Sequence, residues 1–186
     1  ASLSTARGYL AGAGTSSQGL GFGGGPPYSN ATEEFSNFSE PSSFQNDGQV
    51  FYNDTEFKFK VTSSTTTPSW ASGGNYPANI QRQAGFGTQT ATVNASGYEG
   101  TAYSTNTKEY DGTAWTAANA SPAALESPGG GGVLTAGFIC GGESPAPAKV
   151  TTTAEYDGTN WTAGGNLGTG RSSLMVAGTL TAGIAA

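Results

Sequence analysis

Short apolar runs alternate with turn-forming residues along the whole chain. The runs are rich in Thr, Tyr, Phe and Trp, which favour strands, and Gly, Pro, Asn or Asp separate one run from the next. No segment keeps the apolar period of an amphipathic helix. The pattern therefore predicts an all-β protein that is built from many short strands joined by tight turns.

One part of this pattern recurs almost unchanged. Residues 109–116 read Glu-Tyr-Asp-Gly-Thr-Ala-Trp-Thr, and residues 155–162 read Glu-Tyr-Asp-Gly-Thr-Asn-Trp-Thr, 46 positions later. Trp70 lies 45 positions before Trp115. Asp-Gly between two strand patterns is typical of a hairpin turn, because both residues tolerate positive φ. Units of this length with several short strands predict propeller blades or another stacked β-repeat.

Three further elements return with the same units. The pattern Ala-Gly-x-Gly-Thr occurs at residues 11–15 and 84–88 and has a close relative at 176–181. A pair of glycines closes an apolar run at Gly23-Gly24 and again at Gly141-Gly142. A third element ends in an arginine, and we expect its three examples to occupy one repeat position: Arg7, Arg82 and Arg171.

The first unit is longer than the others. Its extra residues lie between Glu34-Phe35, which matches Glu109-Tyr110, and Trp70. Inside this insertion, alternating apolar and polar residues flank Asn53-Asp54-Thr55 and predict a β-hairpin. The predicted segments are 1–35, the first part of the first repeat; 36–65, the inserted hairpin; 66–115, the end of the first repeat and the second; 116–161, the third; and 162–186, a partial fourth.

The two ends of the chain carry the same element and do not complement each other, as the ends of a closed propeller usually do. We therefore expect about three full units and a partial fourth. Such an array would belong to a longer protein or would be closed by neighbouring subunits.

The order of these elements resembles the kelch repeat, in which a strand ends on Gly-Gly, the next carries Glu-Tyr-Asp, and a Trp follows. Here it is carried by Gly141-Gly142, Glu155-Tyr156-Asp157, Trp161, Leu167 and Arg171. The second unit departs from the pattern, with Ser96-Gly97 in place of two glycines. The resemblance implies kelch-like β-propeller blades. It does not select a function, because one fold serves many functions.

The composition and the motifs of the repeats show a second resemblance. They are almost uncharged, rich in Thr, Gly and Ala, and built on Ala-Gly-x-Gly-Thr, Phe-Gly-Gly and Glu-Tyr-Asp-Gly-Thr-x-Trp-Thr. These motifs, with the inserted residues 48–53 and 59–61, are similar to kelch-like virion proteins of marine tailed phages, notably cyanobacterial phages. The resemblance implies a tail fibre, tail spike or capsid decoration located in the virion. Its partners would be other virion proteins or copies of itself.

Composition narrows the classes of function. The 186 residues include 13 acidic and 7 basic ones, for a net charge of -6, and no histidine. A nucleic-acid binder needs a basic face, so we expect no nucleic-acid partner. No apolar stretch approaches the roughly 18 residues of a membrane-spanning helix, so we expect no membrane insertion. Cys140 has no partner for a disulfide and is expected to pack as a small apolar side chain.

No set of catalytic residues emerges from the sequence. Without histidine there is no Ser-His-Asp set, no Cys-His pair and no His-ligated copper, and no Gly-x-x-x-x-Gly-Lys phosphate loop occurs. We expect no enzymatic activity, no cofactor and no metal ion. One acidic cluster lacks the spacing of a calcium loop and is expected on a solvated surface: Glu33, Glu34, Glu40, Asp47, Asp54 and Glu56.

The recurring residues are open to a structural or a binding interpretation. One large aromatic per unit favours packing between sheets over stacking on sugars, and this applies to Trp70, Trp115, Trp161, Phe35, Tyr110 and Tyr156. Asp111 and Asp157 precede Gly and are expected to accept bonds from their own turn. The three arginines are expected to bridge backbone carbonyls between strands, in preference to binding an anionic glycan.

The segments after the glycine pairs vary most between units. Equivalent loops of successive repeats emerge on one rim, and binding commonly resides on loops that a rigid scaffold holds. This rim and the 36–65 insertion are the candidate recognition face, with four candidate residues: Tyr28, Tyr52, Tyr103 and Glu143.

The sequence favours a non-enzymatic structural virion protein that serves as a rigid β-repeat scaffold for assembly and for contact with the host surface. The alternative is a secreted or surface carbohydrate-binding β-propeller module, whose ligand would be host surface glycan.

Overall fold

The computed structural model describes residues 3–4, 6–15, 18–25, 28–36, 50–53, 55, 57–61 and 69–186. Every regular element within these ranges is a β-strand, so the predicted all-β class is confirmed. The described residues include no helix with the length and apolar character that crossing a membrane requires.

The strands form three four-stranded antiparallel sheets, one two-stranded sheet and one separate hairpin. Sheet 1 contains β1 (Ala11–Gly14), β2 (Gln18–Phe22), β3 (Thr32–Ser36) and β6 (Ser69–Ser72). Sheet 2 contains β7 (Ala84–Thr88), β8 (Ala91–Ala95), β9 (Thr107–Tyr110) and β10 (Trp115–Ala118). Sheet 3 contains β11 (Gly129–Val133), β12 (Ala136–Cys140), β13 (Thr153–Tyr156) and β14 (Trp161–Ala163). Sheet 4 contains β15 (Val176–Thr179) and β16 (Ala182–Ala185).

Each sheet follows the chain from its first strand to its last, like the blade of a propeller. The first strands β1, β7, β11 and β15 contact one another in that order. Successive sheets are therefore stacked around their first strands, with the fourth strands on the outside. The expectation of three full units and a partial fourth is confirmed.

The hairpin of β4 (Val50–Asn53) and β5 (Lys58–Val61) lies in the chain between β3 and β6, inside the segment 36–65. The predicted divisions at 115 and 161 fall on the first residues of β10 and β14. Each of those segments thus ends one strand short of a complete sheet, because the divisions follow the repeated Trp, which opens the last strand.

The hydrophobic core lies between the sheets. Between sheets 1 and 2 it consists of Ala11, Leu20, Phe22 and Tyr110, with Trp115 packed against them. Between sheets 2 and 3 it includes Phe86, Val93, Ile139, Ala154 and Tyr156, with Trp161 packed against them. A four-stranded sheet of short strands must bury a face against another element, and here each sheet uses the next one.

The glycine pairs end the second strands in a left-handed backbone. Gly23 and Gly24 have φ values of 67° and 99°, and Gly141 and Gly142 have 62° and 102°. Ser96 and Gly97 adopt the same conformation, with φ values of 60° and 110°. The Ser96 hydroxyl is 3.0 Å from that of Ser121, and this buried contact accompanies the strained serine. The second unit therefore keeps the turn although it departs from the Gly-Gly sequence.

Asn94 offers a test of how the core is packed. Its side chain is fully buried in β8, and neither its amide nitrogen nor its amide oxygen has a hydrogen-bond partner. The strand register places Ile139 at the equivalent position of sheet 3. We predict that Asn94→Val raises the free energy of unfolding by about 1 to 2 kcal/mol, because a buried unpaired amide is replaced by an apolar group.

Urea denaturation of the variant and the unaltered chain measures this difference. Asn94→Asp is the matched control and should lower the unfolding midpoint, since it buries a charge at the same place. A loss of stability in Asn94→Val would contradict the prediction and indicate that the amide is hydrogen-bonded.

Candidate interaction surfaces

The repeated Glu-Tyr-Asp-Gly-Thr-x-Trp segment forms the last hairpin of a sheet. Tyr110 pairs with Trp115 across β9 and β10, and their ring centroids are 5.0 Å apart. Tyr156 and Trp161 pair in the same way at 4.7 Å. In sheet 1 the rings of Phe35 and Trp70 are 5.3 Å apart. The repeat thus places one aromatic pair at the same register of each complete sheet.

The aspartate of this segment closes the turn. The Asp111 carboxylate accepts the N–H groups of Thr113 and Ala114, both at 2.8 Å. Asp157 accepts from Thr159 and Asn160 in the same geometry. These backbone hydrogen bonds hold the pKa of Asp111 below its ordinary value, and the bond from Ala114 has the largest effect. The predicted turn role of both aspartates is confirmed.

The tyrosine hydroxyl reaches the preceding sheet. Tyr110 donates to Oε1 of Glu34 at 2.5 Å, and Tyr156 donates to Oε1 of Glu109 at 2.6 Å. Burial, followed by the hydrogen bond to Glu34, raises the pKa of Tyr110 to about 12. Burial and the Glu109 carboxylate raise the pKa of Tyr156 as well. Both tyrosines therefore stay protonated donors at neutral pH.

The tryptophan indole reaches the same strand of the preceding sheet. Nε1 of Trp115 donates to Oγ1 of Thr32 at 3.0 Å, and Nε1 of Trp161 donates to Oγ1 of Thr107 at 3.1 Å. We call this four-residue arrangement the seam: a Thr and a Glu on the third strand of one sheet, and a Tyr and a Trp on the last hairpin of the next. Seams join sheet 1 to sheet 2 and sheet 2 to sheet 3.

The expectation of a solvated surface is wrong for Glu33, and Glu34 is only partly exposed. Glu33 is buried and forms an ion pair with Arg7 at 2.9 Å, and Ser4 N–H donates to its other carboxylate oxygen at 2.8 Å. Glu34 accepts from Tyr110 in the seam. The rest of the acidic cluster, residues 40, 47, 54 and 56, lies outside the described residues. The described residues contain no group of three His, Cys, Asp or Glu side chains that could hold a metal ion.

The three arginines do not share one repeat position. A chain of backbone bonds defines the position: Arg82 N–H donates to the Tyr9 carbonyl, Ser127 to Arg82, and Ser173 to Ser127. All four residues have φ between 52° and 58°. Arg82 therefore corresponds to Tyr9, whereas Arg7 and Arg171 lie two residues before this position. A backbone hydrogen bond defines this repeat position, and its side chain differs from sheet to sheet. The sequence therefore does not reveal that these residues are equivalent.

The expected bridging of backbone carbonyls is also wrong for the two arginines that have partners. Arg7 is paired with Glu33, and the Arg82 guanidinium contacts the Glu126 carboxylate. The same guanidinium lies 5.2 Å from the centroid of the Tyr9 ring. The Arg171 side chain is exposed, while its carbonyl accepts from Gly142 N–H at 2.8 Å.

The loops after the glycine pairs do lie at equivalent places. Isolated bridges join Gly8 to Gly25, Gln81 to Tyr98 and Glu126 to Glu143, so each loop is fixed beside the start of its own sheet. We call this edge the loop rim. It carries exposed Tyr28, the contacting rings of Tyr98 and Tyr103 at 5.6 Å, and Glu143. Tyr52 lies apart, on β4 of the inserted hairpin.

Comparison with known proteins supports the class of fold. No protein-family model and no curated protein sequence matches the chain. Among solved structures, the β-propeller-type protein YjhT superimposes on 88% of the chain with a TM-score of 0.62 and 12% identity. The chain spans about half the length of that protein, 47%. At this identity the likeness shows the fold alone, which is a stack of blade-like β-sheets.

The seam predicts an alkaline loss of stability. The raised pKa of Tyr110 means that its hydrogen bond stabilises the fold fully below the ordinary tyrosine value of 10. That contribution is lost as the pH rises from 10 towards 12. We predict that Tyr110→Phe lowers the free energy of unfolding at pH 8 by about 1 to 3 kcal/mol, because Glu34 loses its donor.

Urea denaturation at pH 8, 10 and 11.5 measures both effects. The variant should lose less further stability above pH 10 than the unaltered chain loses. Tyr28→Phe is the matched control at an exposed tyrosine and should change neither value. Equal pH slopes in Tyr110→Phe and the unaltered chain would contradict the role assigned to this hydroxyl.

Proposed function

We propose that the chain is a non-enzymatic structural component of a bacteriophage virion, as a tail fibre, spike or capsid decoration. It would act as a rigid β-repeat scaffold for assembly. Its partners would be other virion proteins or copies of itself. The observation that carries the scaffold role is the seam, in which the most strongly repeated polar and aromatic side chains bind the neighbouring sheet.

The seam supports a scaffold because it fixes each sheet at two points. The hydroxyl of Tyr156 and the indole of Trp161 both bind strand β9 of sheet 2, whereas the first-strand contact is made by β7, and β8 lies between these two strands. Hydrogen bonds to a carboxylate are among the stronger ones in proteins. A sheet that is held along both its first and its third strand cannot hinge against its neighbour without breaking these partly buried hydrogen bonds.

The surface supports docking without strong electrostatic steering. Only 11% of the residues are charged, so contact with a partner must rely on apolar groups and backbone edges. Such groups are present near the first strands, where Tyr9, Leu10 and Met175 are exposed. The outer strands β6, β10 and β14 each have one edge without a partner among the described strands.

The virion assignment itself is supported by the resemblance of the repeat motifs to kelch-like proteins of marine tailed phages. The carbohydrate-binding alternative is supported by one feature of the loop rim. Tyr28 is 43% exposed, and the Tyr98 and Tyr103 pair follows on the next sheet. Exposed aromatic rings can stack on sugar faces, so this row of tyrosines is where a glycan would bind.

A particle experiment distinguishes the two functions. We predict that the chain co-sediments with virions through a density gradient at a fixed ratio to the major capsid protein, as measured by quantitative mass spectrometry. The ratio should be unchanged after a high-salt wash, because the expected contacts are apolar. Recovery only in the soluble fraction would contradict a virion role.

The isolated protein provides the complementary measurement. Binding to a glycan array that is lost in Tyr28→Ala, with unchanged unfolding midpoint, would favour the carbohydrate-binding module. Ser29→Ala is the matched control on the same loop.

A further inference from the structure

Sheet 3 presents half of a seam. Thr153 and Glu155 on β13 occupy the positions of Thr107 and Glu109 on β9, as the register of the two sheets shows. Thr107 is buried beneath Trp161, whereas Thr153 is partly exposed. Within the part of the chain that the structure describes, neither side chain receives a hydrogen bond. The two acceptors of a third seam are therefore in place without their donors.

A groove lies beside these two acceptors. It runs between β13 and β16 and is lined by Phe138, Cys140, Thr153, Glu155, Gly183 and Ala185, among others. Sheet 4 has only β15 and β16, so β16 has an unpaired edge along this groove. In the three complete sheets the corresponding edge pairs with the third strand. The groove thus offers backbone pairing on one side and seam acceptors on the other.

A third contact accompanies each seam. In sheets 1 and 2, the residue four positions after the tryptophan lies against the turn in the last hairpin of the following sheet. In sheet 1 this residue is Gly74, where an added Cβ would overlap the Thr113 carbonyl oxygen. In sheet 2 it is Asn119, which donates to the Thr159 carbonyl at 2.9 Å. In sheet 3 it is Gly165, which has no atom within 4 Å of its Cβ position.

We propose that this groove binds a β-hairpin with the repeat's own Thr-x-Glu-Tyr-Asp-Gly-Thr-x-Trp pattern. Its first strand would pair with the free edge of β16. Its tyrosine hydroxyl would donate to Glu155, its tryptophan indole would donate to Thr153, and its turn would lie against Gly165. The groove would bind this hairpin whether or not the chain belongs to a virion.

The same geometry disfavours a second copy of the chain as the occupant. A copy stacked end to end would present sheet 1, which carries Phe35 where the seam requires a tyrosine. Phe35 has no hydroxyl, so Glu155 would become buried without a donor, which is costly for a carboxylate. The last hairpin of sheet 1 is already paired with β2, so it is not free to join β16. A free hairpin that contains tyrosine meets every one of these requirements.

The repeat itself supplies a probe for the experiment. Gly183 pairs with Gly178 as Gly137 pairs with Gly132, so Ala186 is the equivalent of Cys140. A copy of Gly141–Ala163 fused directly after Ala186 would therefore enter the groove in the natural register. We predict that amide hydrogen exchange of Ala182–Ala185 becomes about tenfold slower than in the 186-residue chain, because β16 gains a partner strand.

Point substitutions make this test specific. Glu155→Ala should leave the exchange of the 186-residue chain unchanged, since its side chain receives no hydrogen bond there, and should remove most of the protection in the fused chain, where the tyrosine loses its acceptor. Gly168 has open space around its Cβ position, so Gly168→Ala is the control and should keep the protection. In a second fused chain, the copied residues that correspond to Tyr156 and Trp161 are both replaced by Phe. This change removes the two seam donors, so β16 should lose most of its protection.

Three results would overturn the proposal. The first is unchanged exchange of β16 in the fused chain. The second is full protection that survives Glu155→Ala, which would place the added segment elsewhere. The third is protection of β16 in the 186-residue chain that rises with protein concentration, together with a dimer in sedimentation, which would assign the groove to a second copy.

Discussion

The structure depends on hydrogen bonds that cross from one sheet to the next. A sheet of four short strands has little apolar surface of its own, and its faces are covered only by its neighbours. The tyrosine hydroxyl and the tryptophan indole would be unpaired in this apolar layer without Glu and Thr acceptors. An unpaired buried polar group lowers the stability of the fold by more than one formed hydrogen bond raises it. The seam therefore determines which faces of neighbouring sheets pack together and in which register.

A second set of bonds works through the backbone near the first strands. The chain from Tyr9 through Arg82 and Ser127 to Ser173 links each sheet to the one before it by an N–H to carbonyl bond. All four residues adopt the left-handed conformation, which is unfavourable for residues other than glycine. The strain persists because the conformation aims each N–H group at the previous sheet. Inner and outer strands are thus tied by different means.

The contrast between these two sets of bonds explains what the sequence could predict. Seam residues must be Tyr, Trp, Glu or Thr, so their spacing is visible in the sequence and predicts the units, the hairpins and the turn role of Asp111. The left-handed position tolerates any residue whose backbone is held, so the sequence pattern aligns Arg82 with two arginines that lie elsewhere in the repeat. Ser96 shows the same effect, because its backbone replaces a glycine that the pattern requires.

The positions of the acidic side chains in the fold could not be predicted from the sequence for a related reason. Acidic residues near a glycine-rich turn are usually solvated, yet Glu33 is buried beside Arg7 and Glu34 lies in the seam. Their partners are far away in sequence: Tyr110 is 76 residues from Glu34. No local pattern signals such a pair. The repeat aligns Glu34, Glu109 and Glu155 in the sequence, but only the structure shows that Glu34 and Glu109 accept hydrogen bonds from tyrosines of the next sheet.

The seam also gives the array a direction. Sheet 2 accepts hydrogen bonds on one face, through Thr107 and Glu109, and donates them from the other, through Tyr110 and Trp115. Such a head-to-tail contact adds units in one orientation and closes only when the rotation per unit completes a circle. Sheet 1 departs from this pattern because Phe35 cannot donate, while Glu155 keeps the acceptor on sheet 3. The two faces of a sheet are therefore chemically different, and a neighbouring unit that fits one of them does not fit the other.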